Sequence, residues 1–472
     1  MSNKLSAKER MAIERASMPE LPAEERSRTF EEVNLGLDSG QALAEARRCL
    51  QCKNRACVAG CPVAVSIPEF IDALASEDLP RAAQILRGDN ALPAVCGRVC
   101  PQETQCEALC VRGIKGESVA IGYLERYVAD WAMLHPDQLL HAKAPAASGK
   151  SVAVVGCGPA GLTAAGELAR HGHKVTIFEA LHDTGGVLRY GIPEFRLPKE
   201  IIDREVAVLS DLGVTIELNV IIGKTLTISE LREEFDAIFI ANGAGLPTML
   251  NIAGENLKGV YAANEFLTRV NLMEAGRRDD SSTPIIKRAQ VAVIGGGNTA
   301  MDCVRTARRL GAERAMIVYR RGEAEMPARV EEIKHAKEEG VEFVMLTAPV
   351  AIIGTEDHWV SALRCQRMEL GPPDESGRRK PQPIEGSEFD LPAGVVINAV
   401  GTSANPLLTA TAPDLALNKW GNILTSSDGE TSIGGVFAGG DIVRGGATVI
   451  LAMGDGKRAA AAINEYLNRK HD

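Results

Sequence analysis

Two glycine-rich segments of similar pattern, about 140 residues apart, constrain the fold of this chain more than any other feature. The first is SVAVVGCGPAGLTAAGELARHGHKVTIFEA at 151–180, and the second is VAVIGGGNTAMDCVRTARRLGAERAMIVYRR at 291–321. Each consists of a hydrophobic strand, a glycine turn, a helix of small residues and a second strand. This order is typical of a βαβ unit that binds a dinucleotide at the helix N-terminus. We therefore predict two α/β dinucleotide-binding folds.

The first segment has the features that an FAD site requires. Gly156 makes the tight turn, Gly158 lets the backbone approach a pyrophosphate, and Gly161 lets the helix pack closely. A glutamate ends the second strand, where its carboxylate can hydrogen-bond an adenosine ribose. We predict an FAD-binding set of Gly156, Gly158, Pro159, Ala160, Gly161 and Glu179.

The second segment differs from the first at the end of its second strand. Gly295, Gly297 and Ala300 occupy the three fingerprint positions, but the strand ends in Tyr319 followed by Arg320 and Arg321. A carboxylate there would repel a 2′-phosphate, whereas two guanidinium groups would bind it in fork geometry. The segment therefore predicts an NADPH site. The alternative for the two arginines is a solvated surface pair.

A third glycine-rich segment, GGVFAGGDIVRGGATVILAMGDGKRAA at 434–460, places Gly440 and Asp441 after a predicted strand at 436–438. Asp441 can bond the ribityl chain of a flavin, and the N-terminus of the following helix would face the flavin. This return segment implies that the NADPH domain is inserted into the FAD domain. The expected crossings are ANGAG at 241–245 and NAVGT at 398–402.

Eight of the 11 cysteines lie between residues 49 and 110. Three closely spaced cysteines and a fourth before proline are typical of iron–sulfur ligation, in which the fourth serves the other cluster. Counting predicts two [4Fe–4S] clusters with four cysteines each, and zinc or disulfides are the alternatives. The two blocks contain Cys49, Cys52, Cys57 and Cys61, then Cys96, Cys100, Cys106 and Cys110.

Apolar residues at helical spacing surround the cysteines. The predicted fold is therefore an N-terminal α-helical double-cluster iron–sulfur domain followed by an α/β flavoprotein with two dinucleotide-binding domains. The expected domains are 1–148 for iron–sulfur clusters, 149–246 and 402–472 for FAD, and 247–401 for NADPH. HAKAPAASGK at 141–150 is the expected linker, and the charged run RVEEIKHAKEEG at 329–340 predicts an exposed helix face.

Charge and hydropathy exclude two classes of partner. The net charge of −10 argues against nucleic acid. No run approaches the roughly 18–20 apolar residues that a membrane span requires, and the first 30 residues lack the apolar core of a signal peptide. We expect a cytoplasmic protein with no membrane contact.

The chain also resembles a known family. The stretches CLQCKNRACVAGCP, ALPAVCGRVCPQETQCEALC, IGYLERY, VVGCGPAGL, GGVLRYGIPEFRLPK, VIGGGNTAMDC, VYRR and AGGDIVRGGATVILAMGDGK are similar to the small subunit of NADPH-dependent glutamate synthase. That family includes the large subunit of the NADH-dependent ferredoxin:NADP oxidoreductase, an electron-bifurcating transhydrogenase also described as sulfide dehydrogenase. The N-terminal half of dihydropyrimidine dehydrogenase is built similarly.

The resemblance revises the cluster ligands and adds contacts. It implies one cluster on Cys49, Cys52, Cys57 and Cys110, and another on Cys61, Cys100, Cys106 and Glu125, with Cys96 as a neighbour. Counting favours Cys96 as the eighth ligand, and the resemblance favours Glu125. Further implied FAD contacts are Gly186, Leu188, Arg196, Ala447, Thr448 and Val449; further implied NADP contacts are Asn298, Thr299 and Gly401.

The resemblance implies an NADP(H)-dependent oxidoreductase in which NADPH reduces the flavin and single electrons pass to the clusters. The first hypothesis is the electron-input small subunit of glutamate synthase, which needs a large partner, because an N-terminal cysteine nucleophile and a barrel are missing here. The second, favoured by CLQCKNRACVAGCP and GIPEFRLPK, is the large subunit of the bifurcating enzyme. Its partners would be a ferredoxin:NAD reductase-like flavoprotein, ferredoxin or a larger hydrogenase-type complex. The third is a non-enzymatic iron–sulfur electron relay.

Overall fold

The computed structural model describes residues 5–139, 146–276, 278, 280–375 and 377–469. Residues 141–145 of the expected linker lie outside this range. The N-terminal part is helical, with short 3-10 turns at Gln102–Thr104, Val111–Ile114 and Pro136–Gln138. Its helices are α1 (Ala7–Ala12), α2 (Ala23–Arg26), α3 (Ser39–Arg47), α4 (Ala56–Ala59), α5 (Ile67–Ala75), α6 (Leu79–Asp89), α7 (Pro93–Val99) and α8 (Ile121–Leu134).

Strands and helices alternate through most of the remaining chain, as the two βαβ fingerprints predict, and a 3-10 turn lies at Glu323–Glu325. Its elements are β1 (Ser151–Val155), α9 (Pro159–Arg170), β2 (Lys174–Phe178), α10 (Val187–Tyr190), α11 (Lys199–Asp211), β3 (Thr215–Glu217), α12 (Ile228–Glu234), β4 (Ala237–Ile240), β5 (Leu246–Pro247), β6 (Val260–Ala262), α13 (Ala263–Asn271), β7 (Gln290–Ile294), α14 (Asn298–Arg309), β8 (Arg314–Val318), α15 (Val330–Glu338), β9 (Glu342–Val344), β10 (Thr347–Gly354), β11 (Val360–Pro373), β12 (Arg379–Pro392), β13 (Val395–Asn398), β14 (Thr402–Ser403), α16 (Pro406–Thr409), β15 (Val436–Ala438), α17 (Asp441–Arg444) and α18 (Val449–Arg469).

The first five-stranded sheet has the order β15-β4-β1-β2-β3, and all of its strand pairs are parallel. Its central strands are buried along nearly their whole length, which explains their continuous apolar sequences. β15 comes almost 200 residues after β4 in the chain, yet pairs with it. The predicted return segment therefore completes the first sheet.

The second five-stranded sheet has the order β6-β13-β7-β8-β9 and is also parallel. All of its strands lie between β4 and β15 in the chain, so the second fold is inserted into the first. β5 and β14 pair antiparallel and join the two sheets directly after the expected crossings. The exact domain boundaries stay a prediction.

A three-stranded antiparallel sheet, β10-β11-β12, extends from the second fold. The sequence analysis did not identify it. Its long strands β11 and β12 form a hairpin, and the backbone N–H of Asp374 donates to the Arg378 carbonyl at 2.7 Å where the two strands are joined. This hairpin turn bears on the nucleotide site described below.

The helical domain shares a hydrophobic core with the FAD-binding fold. Helix α18 lies at this boundary, where the Lys457 ammonium donates to the carbonyls of Val63 and Asp89 at 3.0 and 2.8 Å. A Cβ atom on Gly454 would lie 2.9 Å from the Pro62 carbonyl oxygen, so helix and cysteine loop are in close contact. Among the described helices, none has the length and apolar character needed to cross a membrane.

Candidate redox-cofactor sites

The first glycine fingerprint has the geometry of a dinucleotide loop. Gly156 follows β1 with a φ of +104°, and a Cβ atom there would lie 2.6 Å from the Ala241 carbonyl oxygen. A Cβ atom on Gly161 would lie 2.0 Å from the Gly156 oxygen. Any larger residue at position 161 would therefore prevent α9 from packing closely on this loop. Gly158 caps α9 and has open space beside it, as the approach of a pyrophosphate requires.

Glu179 lies directly after β2, beside this loop. Its carboxylate accepts hydrogen bonds from the backbone N–H groups of Cys157 and Leu181 at 2.7 and 2.9 Å. Burial raises the pKa of Glu179, although these bonds oppose the shift. Each carboxylate oxygen keeps a lone pair, so the side chain is positioned to accept from a ribose hydroxyl.

The return segment meets the first fingerprint. A Cβ atom on Gly440 would lie 3.1 Å from Ala160 Cβ, and one on Gly456 would lie 2.3 Å from the Ala160 oxygen. Asp441 accepts from the Ala447 N–H at 3.2 Å, and burial raises the pKa of Asp441 to about 6. The predicted residues of this segment, Gly440, Asp441, Ala447, Thr448 and Val449, thus surround the start of α18 next to the fingerprint loop.

Of the six FAD contacts implied by the resemblance, three remain, and two of these lie close to this loop. A Cβ atom on Gly186 would lie 3.0 Å from Gly158 Cα, and Leu188 is buried in the same core. Arg196 lies elsewhere, with its guanidinium bound to both oxygens of Asp302 at 2.8 and 2.9 Å and 2.9 Å from Glu332. It joins the two dinucleotide folds, and an FAD contact for Arg196 stays a prediction.

The second fingerprint repeats the geometry of the first. Gly295 has a φ of +142°, and a Cβ atom there would lie 2.4 Å from the Ala399 carbonyl oxygen. Asn298 begins α14 and accepts from the Arg329 N–H at 2.9 Å. Gly297 caps the same helix, in which Thr299 is exposed and Ala300 is buried. Gly401, in the second crossing segment at 398–402, has open space where a Cβ atom would lie.

The two arginines after β8 have different surroundings. Arg320 is exposed and makes no hydrogen bond or ion pair with any other described residue. Arg321 is buried, donates to Asp374 at 2.6 Å and to the Arg379 carbonyl at 2.9 Å, and is thereby bound to the β11–β12 turn. Of these two described arginines, Arg320 is the one whose guanidinium is available in full to a 2′-phosphate.

The structure brings together the four thiols of one predicted cluster, here called the outer site. These side chains line a concave, largely apolar space that is partly open to solvent. Burial and the three neighbouring thiols raise the pKa of Cys49 to about 12, so deprotonation there requires a metal. The thiols of the outer site are Cys49, Cys52, Cys57 and Cys110.

The second group, here called the inner site, contains Cys61, Cys100 and Cys106. Both candidates for its fourth ligand are present: Glu125 interacts with all three cysteines, and Cys96 interacts with Cys100. Burial raises the pKa of Glu125 to about 8. Sequence reasoning missed two further neighbours: Asn90, which no motif marks, and Met453, which lies within the third glycine-rich segment but was given no role.

The thiol spacing fits iron–sulfur clusters better than single zinc ions. Four thiolates at about 2.3 Å from one zinc lie roughly 3.8 Å apart. Within the described residues, the only three potential ligands whose atoms all lie within 4.8 Å of one another are Glu20, Glu331 and His335, a group that contains no cysteine. The cysteine groups are therefore too wide for one ion and have room for a larger inorganic core.

Two family models match the chain in succession. Residues 26–136 match dihydropyrimidine dehydrogenase domain II, 4Fe-4S cluster, and residues 150–456 match pyridine nucleotide-disulphide oxidoreductase. The second match covers well over half of the chain. FprA from Mycobacterium tuberculosis, solved in complex with NADPH, has a TM-score of 0.57 at 23% identity over 68% of this chain and 85% of that chain. This likeness supports the fold of the flavoprotein part.

Curated relatives extend over almost the whole sequence. The glutamate synthase [NADPH] small chain of Azospirillum brasilense is 38% identical over 95% of this chain and 94% of its own length. The NADP(+)-dependent formate dehydrogenase subunit beta of Moorella thermoacetica is 40% identical over 88% of this chain, which spans 60% of that subunit.

The matches and the site geometry agree on the cofactors. The protein is an oxidoreductase that uses FAD, NADP(H) and [4Fe–4S] clusters. Its N-terminal helices hold the iron–sulfur part, and its two parallel sheets form the flavin and nucleotide folds. The chain belongs to the family of the NADPH glutamate synthase small chain.

Proposed function

We propose that this chain is the NADP-side electron-transfer subunit of a larger redox enzyme. Its cofactors supply hydride exchange between NADPH and FAD, followed by single-electron transfer through two [4Fe–4S] clusters. The residues of the chain bind these groups, orient them and exclude water. We place this activity in the cytoplasm, since all 11 cysteines are free and NADPH is an intracellular reductant.

The observation that carries this proposal is the contact between the inner site and helix α18, which begins next to the predicted flavin-binding segment. Met453 Sδ lies 3.5 Å from Cys96 Sγ, at the edge of the inner site. Met453 is one helical turn, about 6 Å, from Val449, where α18 begins next to the predicted flavin loop. The inner site is therefore the natural first acceptor of electrons that leave the flavin.

The outer site continues the same path. Each cysteine segment serves both sites: Cys57 and Cys61 are four residues apart, and so are Cys106 and Cys110. Four residues span at most about 14 Å, so the two sites are close neighbours. The outer site opens to solvent beside Leu109 and Val111, whose exposed fractions are 48% and 41%. Electrons would leave the chain there to a partner subunit.

The partner we favour is a ferredoxin:NAD reductase-like flavoprotein, which would make this chain the large subunit of a bifurcating NADH-dependent ferredoxin:NADP oxidoreductase. The segments CLQCKNRACVAGCP and GIPEFRLPK support this choice, because they resemble that branch of the family more than the two-subunit glutamate synthases. Ferredoxin or a hydrogenase-type complex would then exchange electrons with the outer site.

The second candidate partner is the large subunit of glutamate synthase. It is supported by the small chain of Azospirillum brasilense, which this chain matches over 94% of that protein's length. In this case the chain would supply electrons from NADPH to a subunit that makes glutamate.

Anaerobic purification of the native protein, with mass spectrometry of any chain that accompanies it, distinguishes the two. A ferredoxin:NAD reductase-like partner supports the bifurcating enzyme, and an amidotransferase with a flavin barrel supports glutamate synthase. Mixing the holoenzyme with NADPH tests the shared part of the proposal. Failure of NADPH to bleach the flavin would leave only an electron relay without nucleotide chemistry.

A further inference from the structure

The inner site contains one buried polar side chain that neither motifs nor cofactor chemistry assign. Asn90 lies in the connection between α6 and α7 and is 1% exposed. Its carboxamide interacts with both candidates for the fourth inner ligand. Asn90 Nδ2 donates to Glu125 Oε1 at 2.7 Å, and Asn90 Oδ1 lies 3.8 Å from Cys96 Sγ.

The orientation of this carboxamide is fixed by the backbone. Asn90 Oδ1 accepts from the Leu92 N–H at 2.9 Å, in the turn that starts α7. A flipped amide would point its NH₂ group at this N–H donor, so the opposite assignment is unfavourable. Asn90 therefore presents a donor to Glu125 and an acceptor to Cys96.

The Asn90 side chain therefore offers different hydrogen-bonding groups to the two candidate ligands. The bond to Asn90 uses Glu125 Oε1, whereas Glu125 Oε2 makes no hydrogen bond with the described residues. Cys96 Sγ faces two acceptors, Asn90 Oδ1 and Met453 Sδ. Both would repel a thiolate, and both accept an S–H bond.

The helices that carry the two groups are in close contact. A Cβ atom on Gly97 would lie 2.6 Å from the Arg126 backbone nitrogen, so α7 and α8 touch next to Cys96 and Glu125. Their backbones have little room to move, and the choice between the ligands depends on side-chain hydrogen bonds.

We propose that Asn90 positions Glu125 as the fourth ligand of the inner cluster and leaves Cys96 outside the ligand set. This inference rests on the proposed function, because it assumes that the inner site holds a [4Fe–4S] cluster. Asn90 is a positioning residue, since it acts through the carboxylate. Its N–H bond draws negative charge from the ligand, which favours the reduced cluster and raises its midpoint potential.

The test compares variants of the anaerobically purified holoenzyme by iron content and by EPR during redox titration with dithionite and mediators. Asn90→Leu should lower the midpoint potential of one cluster and leave the other unchanged. Asn464→Leu is the matched control, because Asn464 is a half-buried asparagine on α18 whose Oδ1 contacts His173. Equal potentials in Asn90→Leu and Asn464→Leu would overturn the proposal.

A second comparison does not depend on the folding of Asn90→Leu. Cys96→Ala should keep about eight irons per chain and both cluster signals, whereas Glu125→Ala should alter or lose one cluster. The reverse result, with four irons lost from Cys96→Ala and none from Glu125→Ala, would make Cys96 the ligand and refute the role of Asn90. Neither of these two comparisons uses NADPH. A failure of the chain to oxidise NADPH, which would contradict the proposed function, is therefore distinguished from a failure of this proposal.

Discussion

At the scale of single residues, the two adjacent arginines after β8 have different surroundings, although the sequence predicts one role for both. Arg320 is free to bind a ligand, whereas Arg321 is bound to Asp374, 53 residues later in the chain. The sequence predicted a phosphate-binding pair because the strand end is a local feature. It could not predict the ion pair of Arg321, because that contact depends on a hairpin that returns to the site only in the folded chain.

We predict that Arg320→Ala raises the KM for NADPH by about 10- to 100-fold and leaves the KM for NADH nearly unchanged. The lost bonds between a guanidinium and a phosphate are each worth about 1.5–3 kcal/mol. Anaerobic bleaching of the flavin by the two nucleotides measures the effect. Arg321→Ala is the comparison: it should lower thermal stability more than Arg320→Ala and affect NADPH less. A stronger NADPH defect in Arg321→Ala would contradict this assignment.

The glycines and Glu179 were predictable for a physical reason. Each is required by the local course of the backbone around one strand end, as the close approach of Gly156 to Ala241 illustrates. Asn90 has no such signature, because its importance comes from its distance to Glu125, 35 residues away. Arg196 is a similar case: its carboxylate partner Asp302 is 106 residues away.

At the scale of elements, the fingerprints predicted β1, α9, β2, β7, α14 and β8, and α15 agrees with its prediction on one side only. The charged run at 329–340 has the expected exposed face, which carries Lys334, Lys337 and Glu338, but Arg329, Glu332 and His335 of the same run are buried. Glu332 lies against Arg196 and Arg305, so its charge is neutralised within the protein. Charged residues at helical spacing predict a solvent-exposed helix face only where no oppositely charged side chain from another element packs against them. The β10–β12 sheet was missed because its strands alternate irregularly.

A buried carboxylate also connects two domains at the element scale. Glu205 on α11 accepts from the Ala94 N–H in the first turn of α7 at 2.8 Å, and its other oxygen is buried without a hydrogen bond, 4.0 Å from the Arg87 guanidinium. Burial raises the pKa of Glu205 from 4.5 to about 7. The group is therefore stabilising as the neutral acid, and stability falls as the pH rises between these two values.

We predict that Glu205→Gln removes this loss, which is about 3 kcal/mol at full ionisation. The amide keeps an acceptor for Ala94 and carries no charge. Melting temperatures at pH 5 and pH 8 should differ less in Glu205→Gln than in the wild type. Asp203→Asn, on the exposed side of the same helix, is the control. Equal pH dependence in wild type and Glu205→Gln would exclude the raised pKa.

At the scale of the whole molecule, the N-terminal segment 13–37 holds the three folds in one arrangement. It bonds Phe195 of the FAD fold through the Val33 N–H at 2.9 Å, and its Thr29 carbonyl accepts from Arg309 at 2.9 Å. Beneath it, Glu339 accepts from both Arg305 and Arg309 at 2.7–3.1 Å. This fully enclosed ionic group fixes the position of the nucleotide fold.

We predict that Glu339→Gln destabilises the nucleotide fold by about 3–5 kcal/mol, because it leaves the buried guanidinium of Arg309 without a counter-ion and that of Arg305 with Glu332 alone. Burial opposes ionisation of Glu339, but Arg305 and Arg309 outweigh it and lower the pKa. Wild-type stability should therefore be present above pH 4.5 and decline as the pH falls through the lowered pKa. The variant should lack that decline.

Urea unfolding of the two proteins at pH 7 and pH 4 measures both effects. Glu342→Gln provides the control, since Glu342 forms a comparable pair with Arg314 on the surface, where the expected cost is below about 1 kcal/mol. Similar losses in Glu339→Gln and Glu342→Gln would show that the enclosed group has no special role.

The sharing of two short cysteine segments between neighbouring sites has a consequence for the lifetime of the protein in air. Residues 57–61 and 106–110 each have one end at the outer site and the other at the inner site. Oxygen that destroys the more accessible cluster, at the outer site, would release one end of both segments at once. The inner cluster would then lose the support of the segments that carry two of its ligands. Decay should then be all-or-none: a population in air should contain intact and iron-free molecules, with few that have kept a single cluster.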